Sequence, residues 1–175
     1  MEEFLKSVEK KAFRMIQIAT GHTDGAMDLL QDSMMSFVRK YSNKSESEWK
    51  PLFYRVVQNR IRDWYRREKV KKLFFIPISG KRDGQDKEPD PFESIADHKG
   101  IDSLTTLKTS QAMEKLNDVL KQLPARQQQA FLLRSWEGLS TKETARAMGC
   151  TQGTVKTHYS RAVTKLKQEL EGTWP

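Results

Sequence analysis

The chain has 175 residues, enough for one ordinary domain or two small ones, and its mean hydropathy is -0.74. No stretch approaches the roughly 20 apolar residues of a membrane span, the acidic start lacks the apolar core of a signal peptide, and a single cysteine, Cys150, excludes an internal disulfide. We therefore expect a cytoplasmic protein without membrane insertion.

The formal net charge of +8 is concentrated at the two ends of the chain. Residues 1–76 carry 16 Lys/Arg against 10 Asp/Glu, residues 77–109 carry 5 against 7, and residues 110–175 carry 10 against 6. Two basic ends indicate a polyanionic partner such as nucleic acid. A basic surface that serves only solubility would give the same charge distribution.

Segment 1–76 has the apolar periodicity of helices. A first stripe recurs at three- and four-residue steps from Phe4 to Ala19, and a glycine-rich break follows, with Thr23 or Asp24 as N-cap of a second helix. The second helix is predicted to carry one apolar stripe: Met27, Leu30, Met34, Phe37, Val38 and Tyr41.

A third helix is predicted after the polar loop 42–47, with Pro51 in its first turn and an apolar stripe from Leu52 to Trp64. Between residues 55 and 72 there are eight Lys/Arg and only two acidic residues. Basic side chains follow a phosphate backbone and aromatic faces stack on unpaired bases, so this segment favours opened, single-stranded DNA. Three aromatic residues are interleaved with the basic ones: Tyr54, Trp64 and Tyr65. Of these, Trp64 lies at the end of the apolar stripe and is expected in the core.

Between residues 77 and 109 the periodicity fails, and three prolines and three glycines interrupt the chain. This composition is typical of a flexible linker. The predicted fold is therefore all-α, with two small helical domains, 1–76 and 110–175, joined by the linker 77–109.

The C-terminal segment has the spacing of a helix-turn-helix. Ser140 and Glu143 form a capping-box pattern before a short helix. Ala145 lets two helices approach, Gly149 permits a left-handed turn, and Val155 closes their shared core. The outer face of the last helix carries side chains that can reach base edges or phosphates in a major groove: Gln152, Thr154, Lys156, Thr157, His158, Arg161 and Lys165. A helical hairpin with a solvated basic face is the alternative.

This segment resembles region 4 of bacterial sigma factors. The similarity lies in Leu123–Phe131, Glu137–Ser140, Gly153–Thr157 and the pair Arg161-Ala162. It implies that the outer face of the last helix binds the -35 promoter element and that the domain packs on the flap of RNA polymerase. His158 stands where the family usually has arginine, which leaves the base preference of this chain open.

A helix-turn-helix also fits a LuxR-type regulator, so the N-terminal half has to discriminate. Asp28–Met35 resembles region 2.2 of extracytoplasmic-function (ECF) sigma factors, which implies contact with the clamp helices of polymerase through Asp28, Leu29, Gln31, Asp32 and Met35. Leu52–Glu68 resembles regions 2.3–2.4, which melt and read the -10 element. Together with the preceding loop, it implies a second DNA-binding set: Asn43, Lys44, Trp49, Asn59, Arg60, Arg62, Arg66 and Arg67.

The chain is thus identified as a member of the ECF (group 4) sigma factors of the sigma-70 family. The implied function is promoter recognition and opening of the -10 region, and the implied partners are core RNA polymerase, promoter DNA and an anti-sigma factor. We expect no enzymatic activity, cofactor or metal, because the three histidines and one cysteine lack ligand spacing. The alternatives are a LuxR-like regulator that binds duplex DNA without polymerase, and an RNA-binding or structural adaptor. The LuxR-like reading leaves the basic and aromatic segment 54–67 unexplained.

Overall fold

The computed structural model describes residues 1–21, 23–74 and 103–171. Within these ranges there is no β-strand, so the predicted all-α class is confirmed. The elements are α1 (Glu2–Thr20), α2 (Thr23–Tyr41), α3 (Glu46–Phe74), α4 (Ser103–Gln122), α5 (Ala125–Phe131), a π turn (Leu132–Trp136), α6 (Thr141–Met148) and α7 (Gln152–Leu170).

The predicted linker differs from the structure at its C-terminal end. Residues 77–102 lie outside the described residues, but the last seven residues of the predicted linker belong to α4, which begins at Ser103. No helix in the described part of the chain is long and apolar enough to cross a membrane.

A left-handed glycine joins α1 to α2. Gly21 has φ 77° and its N–H donates to the carbonyl of Gln17 at 2.8 Å, which ends α1. Thr23 is already the first residue of α2 and Asp24 the second, so neither is the N-cap that the sequence predicted. The reason is the shortness of the connection. The Thr23 hydroxyl instead accepts a hydrogen bond from Gln17 Nε2 at 3.2 Å.

The buried face of α2 is rotated from the predicted apolar stripe. Its centre is formed by Ala26, Leu30, Ser33 and Phe37, all 3% exposed or less. Small residues let α2 approach its neighbours closely. The buried Ser33 hydroxyl donates a hydrogen bond to the Leu29 carbonyl of the same helix. Two residues of the predicted stripe are consequently on the surface, at 41% and 37% exposure: Met27 and Val38.

Helix α3 begins at Glu46, so Pro51 is its sixth residue rather than part of its first turn. A hydrogen bond from Glu48 N–H to the Ser45 carbonyl, at 3.0 Å, forms the turn at this end. Proline there removes only one hydrogen bond near the start of a 29-residue helix. The predicted apolar stripe is confirmed, since Leu52, Val57 and Ile61 are buried.

The C-terminal helices α4 to α7 form the predicted helix-turn-helix and one element that was not predicted. The predicted second helix of this half divides into α5 and the π turn, in which Glu137 N–H donates to the Leu132 carbonyl five residues earlier. Gly138, with φ 69°, ends this turn. The capping box of α6 is confirmed: Glu143 N–H donates to Ser140 Oγ at 3.2 Å, and Ser140 N–H donates to Glu143 Oε2 at 2.8 Å.

The N-terminal helices (α1–α3) pack directly on the C-terminal helices (α4–α7). Helix α6 lies against α3, α4 touches α1, and buried apolar residues of both groups belong to one continuous core. Polar contacts cross the boundary as well. Arg146 Nη2 lies 2.8 Å from Glu48 Oε1, and Lys11 Nζ donates to the Trp136 carbonyl at 3.3 Å.

Candidate nucleic-acid and partner surfaces

The turn between α6 and α7 is held by backbone and side-chain caps. Gly149 has φ 64°, and Arg126 Nη1 donates to the Met148 carbonyl at 3.0 Å. This hydrogen bond satisfies a carbonyl at the C-terminal end of α6 that has no partner within the helix. Thr151 caps α7 by accepting a hydrogen bond from Thr154 N–H at 3.2 Å. These caps fix the direction of α7, whose inner face buries Val155, Ala162 and Leu166 as the sequence predicted.

The predicted -35 residues lie on the outer face of α7, but the polar groups of some of them already have partners within the protein. Thr157 Oγ1 donates to the Gly153 carbonyl, and Lys165 pairs with Glu169 one turn later, which lowers the pKa of that carboxyl. Lys156 and Arg161 are exposed, and neither has an ion pair within the described ranges. Exposed side chains complete this set: Gln152 and Thr154.

His158 is placed differently from the other predicted readers. Its side chain is half-buried, and Nδ1 is buried without a hydrogen-bond partner among the described residues. The neighbouring Tyr159 anchors this part of α7: its ring stacks on Phe131 with centroids 6.3 Å apart, and Arg134 lies 5.7 Å from its centroid. Only part of the His158 ring is therefore available to DNA.

The loop before α3 presents Asn43 and Lys44 to solvent. Trp49, predicted to bind DNA with them, is half-buried instead. Its Nε1–H donates to the Lys44 carbonyl at 2.9 Å, and its ring lies 5.6 Å from that of Phe4. Trp49 thus ties the loop to α1 and fixes the backbone that carries the exposed residues.

The predicted basic residues of α3 form one surface stripe. Arg62, Arg66 and Arg67 are exposed, while Asn59 and Arg60 are half-buried. Arg62 Nη2 donates to Asn59 Oδ1 at 2.6 Å, so these two side chains act as a pair. The stripe follows the outer side of the helix whose inner side enters the core.

The three aromatic residues interleaved with this basic stripe have different positions. Tyr54 is fully buried, which excludes the base-stacking role that the sequence suggested for it. Trp64 is half-buried against the core, as expected. Tyr65 is 36% exposed, and its hydroxyl donates to the Ala19 carbonyl at 2.6 Å. Its partial burial raises the pKa of its hydroxyl, and its side chain is the most exposed of the three.

Helix α2 presents a mixed acidic and apolar face. The predicted polymerase-binding residues Asp28, Gln31 and Asp32 are exposed, and Met35 is 53% exposed. Leu29 is only 8% exposed, so it packs in the core and leaves little surface for a partner. Sequence reasoning missed two members that helical spacing places beside this face: Met27 and Val38. Exposed apolar side chains grouped in this way are candidates for contact with a partner.

An apolar groove between α4, α5 and α7 was also not predicted. It has a volume of about 610 Å³ and lies on the C-terminal half of α7. Its lining is mainly apolar: Leu116, Phe131, Val163, Leu166, Lys167, Gln168, Leu170 and Glu171.

Comparisons with known proteins agree with this arrangement. The family described as sigma-70, region 4 matches residues 113–166, which contain the helix-turn-helix. The RNA polymerase sigma-E factor of Streptomyces coelicolor is 30% identical over 173 residues, covering 97% of this chain and 85% of that protein. The ECF RNA polymerase sigma factor SigD of Mycobacterium tuberculosis is 41% identical over 59 residues, or 34% of this chain and 28% of its own.

A solved structure has a similar fold. It is the sigma factor RpoE of Bartonella quintana in complex with the anti-sigma factor NepR. The TM-score is 0.67 at 21% identity, covering 98% of this chain and 96% of that one. The similarity therefore extends over both helical groups.

Proposed function

The chain belongs to the ECF group of the sigma-70 family, and from this membership we propose that it directs bacterial RNA polymerase to promoters by reading two DNA elements. The observation that carries the proposal is the extent of the similarity. The Streptomyces coelicolor relative covers 97% of this chain, whereas a LuxR-like regulator would share only the helix-turn-helix. The N-terminal helices then have a function of their own.

The -35 element is read by the outer face of α7. Lys156 and Arg161 are its main contacts, because both are exposed cations without a competing ion pair in the described part of the chain. Short polar side chains near the start of the helix reach base edges beside them. His158, which has one ring nitrogen buried, contacts the DNA through the exposed part of its ring, near the middle of this face.

The -10 element is opened and held by the loop before α3 and by the basic stripe of that helix. Arg62, Arg66 and Arg67 follow the phosphates of the unpaired strand, and Tyr65 offers an aromatic face to a base. Trp49 acts indirectly, by ordering the loop that presents Asn43 and Lys44.

Two further surfaces bind core polymerase. The α2 face, with Asp28, Gln31, Asp32 and Met35, binds the clamp helices. The apolar groove beside α7 receives the flap, since an apolar concave surface of this size suits an apolar segment of a partner. An anti-sigma factor would act by covering one of these surfaces, as the partner of the Bartonella quintana protein suggests. In this proposal the linker ends before Ser103.

The proposal is tested by adding the purified chain to core RNA polymerase and measuring run-off transcription from a genomic promoter library. Met35→Asp places a charge on the exposed α2 face and should abolish core binding without unfolding the helix. Lys156→Ala should keep core binding and weaken promoter use through the upstream element. A folded wild-type chain that does not bind core polymerase would reject the sigma-factor function.

A further inference from the structure

Two methionines expose their side chains on the outer face of α2. Met27 is 41% exposed and Met35 is 53% exposed, more than any other large apolar side chain in the described part of the chain. Four exposed residues follow one another at steps of four, four and three residues and therefore share one face of the helix: Met27, Gln31, Met35 and Val38. Methionine thus supplies two of the three apolar side chains of this face.

The sulfur atoms of other methionines are protected. Met15 and Met148 are only 1% and 3% exposed, and Met15 Sδ accepts a hydrogen bond from Gln58 Nε2 at 3.1 Å. An oxidant attacks the lone pair of a thioether sulfur, so it has to reach that atom. The fold therefore separates the methionines of this chain into a set that an oxidant can reach and a set that it cannot.

The single thiol of the chain is a poor competitor for an oxidant. Cys150 is half-buried in the turn between α6 and α7, and burial raises the pKa of its thiol, although the Arg126 guanidinium partly opposes this. Since the thiolate is the reactive form of cysteine, burial slows the reaction at this position. The exposed thioethers of α2 are then the accessible reducing groups of the protein surface.

We propose that Met27 and Met35 form a reversible oxidation site that weakens the binding of core polymerase. The site rests on the proposed function, in which the α2 face binds the clamp helices. The oxidant is an electrophilic one such as hypochlorous acid. The sulfur lone pair attacks its chlorine, and water then adds to sulfur and displaces chloride. Two electrons pass from sulfur to chlorine, and the net products are a sulfoxide, chloride and one proton. Methionine sulfoxide reductases reverse the change.

The sulfoxide changes the chemistry of the α2 face. It replaces an apolar sulfur with a polar S=O group, whose oxygen accepts hydrogen bonds and resists transfer from water into an apolar contact. The neighbouring carboxylates of Asp28 and Asp32 carry no hydrogen-bond donor when ionised, so they cannot satisfy that oxygen. Oxidation therefore leaves an unsatisfied acceptor in any complex that buries this face.

The site is tested on the full chain in a Cys150→Ser background. The chain is treated with about two equivalents of hypochlorous acid, the excess is removed, and untreated core polymerase is then added. Tandem mass spectrometry of the tryptic peptide 15–39, which contains Met15, Met27, Met34 and Met35, compares buried and exposed sulfur atoms within one peptide. The binding readout is the ratio of the apparent Kd after oxidation to that before it, so differences in affinity between untreated variants do not enter.

We expect sulfoxide at Met27 and Met35 while Met15 stays reduced. The apparent Kd should rise at least about tenfold, the effect of losing one buried apolar side chain from an interface, and treatment with sulfoxide reductases should restore it. In the double variant Met27→Leu, Met35→Leu the ratio should stay near one, because leucine keeps an apolar side chain of similar volume that cannot be oxidised. The matched control is Met113→Leu, which changes a half-buried methionine of α4 and should keep the full ratio.

Three results would overturn the site: oxidation of Met15 before Met27 and Met35, an unchanged Kd in the oxidised chain, or an equal loss of affinity in the double variant. Circular dichroism of the oxidised chain guards against unfolding as the cause of a loss. Failure of the proposed function would look different. The untreated chain would then not bind core polymerase at all, which rejects the switch together with the function, whereas binding that oxidation leaves unchanged rejects the switch alone.

Discussion

Replacement of Lys156 or Arg161 by alanine isolates the contribution of α7 to promoter binding. Both side chains are exposed and make no ion pair in the described part of the chain, so their loss breaks no contact within the protein. Alanine is the best helix former. We expect the free energy of unfolding to change by about 0.5 kcal/mol or less, so a loss of binding reports on DNA alone.

Contacts with base edges and contacts with phosphates predict different losses of DNA affinity. A side chain that binds a base edge contributes about 1–3 kcal/mol of discrimination, which is roughly 5- to 150-fold in affinity. A side chain that binds a phosphate weakens all sequences alike and reduces the slope of log affinity against log salt by about 0.9. Lys165→Ala should have a smaller effect than either, because the Lys165 ammonium is shared with Glu169.

The assay is a titration of promoter DNA with the reconstituted holoenzyme between 50 and 200 mM salt, in the range where counterion release is readily measured. Intact and scrambled upstream elements are compared. Lys121→Ala is the control, since this exposed cation lies in the last turn of α4 and is not one of the proposed DNA-binding residues. Unchanged affinity and salt slope in both Lys156→Ala and Arg161→Ala would refute the assignment of the α7 face to DNA.

Three further changes test the local structure. Ser140→Ala removes the α6 cap and should lower the free energy of unfolding in urea by about 1 kcal/mol. Because the Ser140 hydrogen bonds lower the pKa of Glu143, the stabilisation from its carboxylate is complete at neutral pH and is lost as pH falls below 4.5 through the folded-state pKa. The free energy of unfolding of the wild type should therefore approach that of Glu143→Gln in acid and not at pH 7. Gly149→Ala should cost about 1–2 kcal/mol, seen as a lower Tm, from the left-handed backbone alone, because an added Cβ at φ +64° meets no atom within 4 Å. Trp49→Phe keeps the ring contact with α1 but loses the bond to the Lys44 carbonyl; permanganate reactivity of the -10 region should fall while duplex binding persists, and normal reactivity would mean that the loop needs no such tie.

Local patterns predicted the helix-turn-helix well because its requirements are short-range. The capping box, the left-handed glycine and the small and apolar positions of α6 and α7 each depend on neighbours within a few residues. The family resemblance then gave the partner class that these patterns alone left open. Its prediction of sigma-factor membership is confirmed by a relative that covers nearly the whole chain.

Features that depend on packing between distant segments were not predictable in this way. The α2 face is rotated because Ala26 and Ser33, neither strongly apolar, allow the close approach of neighbouring helices. Tyr54 and Trp49 are aromatic residues of the kind that stack on bases. The packing of α3 in the core buries the Tyr54 ring, however, and the contact with Phe4 turns the Trp49 ring inward. The assignment of individual residues to DNA and polymerase stays a prediction.

The π turn at Leu132–Trp136 makes the domain contact sensitive to chain length. A π turn corresponds to an α-helix with one inserted residue, so deleting one residue there would restore the ordinary helical bonding pattern. Each residue rotates an α-helix by about 100°, and the deletion would turn Glu137, whose carboxylate lies 3.7 Å from Lys50 Nζ of α3, by that angle. A change of one codon would then alter how the C-terminal helices pack on α3.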